Sequence, residues 1–217
     1  MRRRGLVMAG LGVSLLGLGA CGADTELSQQ QTADVLLGAE EFPLDGFTRG
    51  EVEENGPSQG DAADDDSLAA LLEGQDVPQA CMDALEATDL QGDNVTAQST
   101  VTFSQGDQSS PLPTTVELAV ATVDGDSPLE PLAAVNDECD KVTVEEEGMA
   151  MTMTFQELDE LEGTKMTVAL GELEVDLLMG GTMQGQLVVA GFGTGIEEKQ
   201  LTAVVDAQVD KLDTVDS

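Results

Sequence analysis

Cys21, Cys81 and Cys139 are the three thiols of a 217-residue chain that contains no histidine. Without an imidazole, Cys81 and Cys139 lack the base that turns a buried thiol into a nucleophile. Ser–His pairs and most zinc or mixed copper ligand sets are excluded on the same ground. Met149, Met151 and Met153 form an M-x-M-x-M string. Thioethers at alternate positions of an exposed strand can hold Cu(I), a soft ion. The same alternation points all three to one face, continued by Phe155, so core packing is the reading adopted. Acidic clusters at Asp64, Asp65 and Asp66, at Glu145, Glu146 and Glu147, and at Asp124 and Asp126 offer oxygens to Ca²⁺, yet none follows the EF-hand loop pattern. Gly191, Gly193 and Gly195 stand at G-x-G-x-G spacing, which departs from the phosphate-binding fingerprints, and read as a turn into a helix. With 43 acidic residues no carboxylate pair stands out as a glycosidase pair. No catalytic residue, metal ligand or cofactor site is therefore assigned.

The remaining cysteine is different in kind. Arg2, Arg3 and Arg4 precede an apolar run from Gly5 to Leu18, interrupted by Gly10, Gly12 and Gly17, and Gly19 and Ala20 follow. A charged start, an apolar middle and a small-residue exit define a secretion signal, and the run is shorter than the roughly 20 residues of a permanent membrane span. Leu18, Gly19, Ala20 and Cys21 resemble the bacterial lipobox. That resemblance implies removal of residues 1–20, diacylglycerol on the Cys21 sulfur, and a chain held by lipid to the extracytoplasmic face of the cell membrane. Two acyl chains make such an anchor lasting where one would not. Lipid consumes Cys21 and leaves an even pair in an oxidising compartment, so a Cys81–Cys139 disulfide is expected. The alternative is two separate buried thiols acting as small apolar residues.

Loss of residues 1–20 takes three arginines and no acid, leaving 43 acidic against five basic residues and a formal charge of −38. Arg49, Lys141, Lys165, Lys199 and Lys211 are too scattered to displace the counterions of a polyanion, which excludes nucleic acid as partner. The same charge keeps the body off anionic headgroups. Aromatic residues make up 2% of the chain, so its core must rest on Val, Leu, Ala and Met.

These residues need elements to position them. Residues 21–33 are small and polar and read as a flexible tether, followed by one domain over 34–217 with an acidic loop at 51–66. Ser67 before Leu68, Leu71 and Leu72, and Asp76 with Pro78 before Cys81 and Leu85, mark two short helices. Val95 to Phe103 and Val116 to Val120 alternate as a strand pair. Ser127, Pro128 and Glu130 open a helix that carries Leu132, Val135 and Cys139. Four further strands are expected: Val142 and Val144, turning at Glu147 and Gly148 into Met149–Met153, then a strand bulged near Gly171, then a hairpin closing at Gly180 and Gly181. Thr194 and Glu197 cap a final helix with Leu201, Val204, Val205 and Leu212 on one arc. Grouped strands with short helices and a C-terminal helix packed on one side make an α+β domain built on an antiparallel meander.

The stretch Leu36, Leu37, Gly38, Ala39, Glu40, Glu41, Phe42, Pro43, Leu44, Asp45, Gly46, Phe47 resembles the opening of small actinobacterial envelope lipoproteins, which are in turn similar to the extracellular sensor domain of mycobacterial PknH-type receptor kinases. A cysteine in an early helix, a second ending the helix after two strands, then a meander and a closing helix agree with that layout. The resemblance implies a mixed α+β fold and ligand sensing at the surface, with no catalytic residues to carry over. The expected function is a non-enzymatic, lipid-anchored domain that binds an envelope ligand or protein. The alternative is a cation-binding or cation-buffering lipoprotein, holding Ca²⁺ on its acids or Cu(I) on its methionine string.

Overall fold

Alternating apolar residues carry most of this chain into strands. In the computed structural model, which describes residues 26–55, 72, 75, 77–88, 94–106, 113–146 and 149–215, they join in one antiparallel sheet. Its strands are β1 (Thr48–Asn55), β2 (Val95–Gln105), β3 (Thr114–Val123), β4 (Lys141–Glu146), β5 (Met149–Glu157), β6 (Glu162–Leu170), β7 (Leu173–Gln184) and β8 (Leu187–Thr194). Their order is β1-β2-β3-β8-β7-β6-β5-β4, so two meanders meet where β3 pairs with β8. Among the described residues four helices accompany them: α1 (Gln29–Val35), α2 (Gln79–Glu86), α3 (Glu130–Glu138) and α4 (Glu198–Val215). The chain thus forms the α+β class and the antiparallel meander that its periodicity predicts.

Strand register assigns side chains alternately to two faces. On the first face Val101, Phe103, Val116, Leu118, Val120 and Val189 pack with Val35, Leu36 and Leu37 and with Leu201, Val204 and Val205 of α4. On the second, Ala119, Ala121, Val188 and Ala190 meet Leu129 and Leu132 where α3 begins. Farther along the same face Val142, Val144, Met153 and Phe155 meet α2 and the end of α3. The helices therefore divide between the two faces rather than sharing one side. The reason lies in the central strands: Val116–Val123 of β3 and Leu187–Ala190 of β8 are buried almost throughout, so they need cover on both faces.

Several local expectations change. The tether predicted through residue 33 is already structured from Leu27, which is buried, and Gln29–Val35 form α1. Polarity misled there because Thr32, fully buried, spends its hydroxyl on Ser99 of β2 at 2.9 Å, and Gln29 reaches the same strand. Residues 51–55 of the expected acidic loop belong to β1, whose charges suit an edge strand that must not pair with another chain. Residues 56–66, Ser67, Leu68 and Leu71, and the turn at Glu147 and Gly148 lie outside the described residues.

Gly171 is a turn and not a bulge: with φ +63° it joins β6 to β7 through two residues and pairs Leu170 with Leu173. That pairing is the phase change from Met166, Val168, Leu170 to Leu173, Val175, Leu177. Gly180 and Gly181 sit inside β7, where a Cβ on Gly180 would meet Leu158 at 2.6 Å and one on Gly181 would meet the Val189 carbonyl. The hairpin closes instead at Gly185, φ +60°, making five strands where four were expected. At the helix starts, Ser127 Oγ accepts from the Leu129 N–H one residue ahead of α3, and the Glu197 N–H donates to Gln200 Oε1 at 2.8 Å. Thr194 ends β8 and takes no part in that cap.

Candidate functional site

The stretch from Val35 to Phe47 leaves α1 in extended backbone at Leu36 and is clasped by three polar side chains from distant elements. Gln208 of α4, fully buried, accepts the Leu37 N–H at 3.0 Å and donates to the Val35 carbonyl at 2.9 Å. Lys211, one turn on, donates to the Leu36 carbonyl at 2.9 Å and to Glu41 at 2.6 Å. From β1, Arg49 Nε donates to the Leu37 carbonyl at 2.8 Å. The Lys211 ammonium and the Gly38 N–H hold the Glu41 carboxyl below its ordinary value. A buried stretch without a ladder partner must have its backbone groups satisfied in this way.

Past the clasp, Phe42 stacks on Phe103 with ring centroids 3.8 Å apart and tilts against Phe47 at 5.3 Å. Gly46, at φ +81°, turns the chain, and Gln105 Nε2 donates to the Asp45 carbonyl at 2.9 Å. The stretch thereby becomes one wall of a cleft of about 380 Å³ at the end of the first face, formed by Pro43, Leu44, Asp45 and Phe47. Gln105, Thr114, Gly195, Ile196 and Gln200 complete it. Gly195, at φ +71°, is required there twice over, since a Cβ would also come within 2.9 Å of Thr114 Oγ1. Leu44, Phe47 and Ile196 offer apolar surface, while a hydroxyl, two side-chain amides and one carboxylate offer hydrogen bonds. These groups can hold and orient a ligand, but none of the wall residues forms a nucleophile–base pair.

Cys81 of α2 and Cys139 at the end of α3 are joined, with Cα atoms 4.9 Å apart, as expected for the pair left after Cys21. Cys21 and the signal segment lie outside the described residues, as do Asp64, Asp65, Asp66 and Glu147. Met153 is buried and Met151 packs partly against the same cluster under α2 and α3, the position that alternation predicts. Asp124 and Asp126 are exposed in the turn after β3, and Glu145 and Glu146 fall in β4. Among the described residues no group of three or more histidines, cysteines or carboxylates is placed to hold a metal. Gly191 and Gly193 make room for Leu201 and Ile196 of the helical layer, and only Gly195 reaches the cleft. No described helix is long and apolar enough to cross a membrane.

No protein-family model matches the chain, and no curated protein matches it. Among solved structures it is similar to the extracellular domain of PknH from Mycobacterium tuberculosis, at 15% identity and a TM-score of 0.51. The likeness covers 88% of this chain and all of that one. It is a likeness of fold.

Sequence reading missed the clasp and most of the cleft. A signal for the clasp was present: beyond Arg2, Arg3 and Arg4 the sequence has five cations against 43 acids, and Arg49 and Lys211 are two of them. Gln208, Gln105 and Gln200 carried no such mark.

Proposed function

We propose that the protein is a lipid-anchored, non-enzymatic, sensor-like domain of the extracytoplasmic face of the cell membrane, with the cleft beside Phe47 as its ligand seat. The observation that carries this reading is the fold shared with an extracellular domain over that domain's whole length. The lipobox-like quartet ending at Cys21 supports the anchor, and the oxidised Cys81–Cys139 pair suits an exported chain. The cleft's hydroxyl and amides, with Asp45 the single charge among its lining side chains, favour a neutral or weakly cationic polar molecule.

Two measurements test the two parts. Cys21→Ala is expected to move the protein from the detergent phase to the aqueous phase without lowering its melting temperature; equal membrane retention of both forms removes the anchor. Native mass spectrometry of the envelope-extracted protein is expected to show a retained small molecule that is lost in Gln105→Leu with Thr114→Val. The same added mass in that variant would place the ligand elsewhere.

A further inference from the structure

We propose that the second face of the sheet docks a cationic amphipathic segment of another protein, along an apolar stripe that the described helices leave open. The β6–β7 turn sets Leu170 opposite Leu173, and the register continues through Val175 and Leu177 to Phe192 of β8, all on one face. Leu170 and Leu173 are 41% and 50% exposed, the two exposed large hydrophobic residues among those described. Val175, Leu177 and Phe192 are half-buried, and none of the five belongs to the clusters beneath α2 and α3. From Leu173 to the level of Phe192 the stripe runs about 20 Å, the span of roughly 13 helical residues.

Charge selects the occupant. All five described cations lie on or above the first face: Arg49, Lys141 and Lys165 by strand register, Lys199 and Lys211 on α4. Among the described residues, the charged groups beside the stripe on the second face are acids. Glu117 pairs directly across from Phe192, Glu53 lies on the same face across β2, and Glu172 sits at the hairpin tip. Burial, together with Glu53, pushes the Glu117 carboxyl above its ordinary value, so a cation brought beside it is favoured. A second copy of this chain would bring the same acids against its own, and anionic lipid would be repelled likewise. The stripe is an open row and not an enclosure, which suits a protein segment rather than a small molecule. It also lies on the face opposite the cleft, so either reading can fail without the other.

The test uses the full chain bearing Cys21→Ser and a labelled 14-residue Leu–Lys amphipathic peptide, followed by fluorescence anisotropy. Leu173→Glu is expected to weaken binding about tenfold or more, and Glu117→Gln several-fold. Because Leu173→Glu adds negative charge, attraction by net charge alone would strengthen binding instead, and that result overturns the proposal. Leu173 is half exposed, so an unchanged circular dichroism spectrum is expected and shows the loss to be local. Thr154→Glu on the first face is expected to leave the affinity unchanged; an equal loss there overturns the assignment to the second face. Equal binding of a Leu–Glu peptide removes the charge argument. Sedimentation showing a dimer that Leu173→Glu dissolves would make the stripe a self-interface and overturn the proposal, as would equal binding to anionic phosphatidylglycerol vesicles.

Discussion

The helices on the two faces are held by different means. On the first face α4 is 18 residues long and buries Leu201, Val204, Val205 and Leu212, so apolar area alone can seat it. Its partner α1 has only seven residues and is held through polar side chains, Gln29 and Thr32 to β2 and Gln208 to the strand-like exit of the helix. On the second face α2 and α3 have eight and nine residues, and the Cys81–Cys139 bridge ties one to the other. Helices this short are marginal by themselves in water. Where a long helix is available the fold relies on burial and buried amides; where both helices are short it adds a covalent link.

Removing that link is the largest perturbation of the comparison. Cys81→Ala with Cys139→Ala opens a loop of 58 residues, which in the chain-entropy model costs about 4 kcal/mol. For a domain of this size the melting temperature is expected to fall by roughly 8–16 °C. Hydrogen exchange should show the loss concentrated in α2 and α3, with α4 protected as before. A uniform loss of protection would mean that the two faces do not open separately.

The bridge was legible in the sequence because a thiol count is discrete: with Cys21 read as the lipidation site, two thiols remain. The strands were legible because alternation has a sharp period, and Val95 to Phe103 shows it plainly. What stayed hidden was of a different sort. In β3 the alternation of Val116, Leu118 and Val120 reads as one apolar face, and Ala119 and Ala121 between them are too small to announce that the other face is covered as well. Gly180 and Gly181 have the composition of a turn but are selected for close contact with Leu158 and Val189, a constraint that exists only once β7 lies between its neighbours. Gln208 looks like any surface glutamine until a chain segment 171 residues away supplies its partner.

Gln208 is the matching test on the first face. Gln208→Leu keeps approximate volume but leaves the buried Leu37 N–H and Val35 carbonyl without their partner. An unsatisfied buried group costs about 1–3 kcal/mol, so a loss of about 2–3 kcal/mol in denaturant unfolding is expected, smaller than the disulfide effect. Exchange should accelerate at Leu37 and in α1 while α2 and α3 stay protected. If Gln208→Leu were neutral, α1 would be held by its apolar residues and the contrast between the faces would narrow.

The smallest effect separates two carboxylates, one on each face. Asp176 on the first face is pushed up by burial, but bonds from Lys165 at 2.8 Å and Thr167 at 2.7 Å outweigh this and lower its pKa. Its stabilising contribution is present above the unfolded pKa and is lost as pH falls through the lower folded value. Glu117 on the second face is shifted the other way by burial and by Glu53, and none of the described cations lies on its face. Its charged form costs stability above the raised folded pKa, and that cost vanishes as pH falls below the unfolded value. Asp176→Asn is therefore expected to lower the melting temperature at pH 7 and Glu117→Gln to raise it, each by about 2 °C or less because both side chains meet solvent. On acidification the two variants should converge on the parent protein from opposite sides. Melting curves recorded from pH 7 into the acid range decide the matter, and a Glu117→Gln variant less stable than the parent at neutral pH would show that a cation, not Glu53, governs that site.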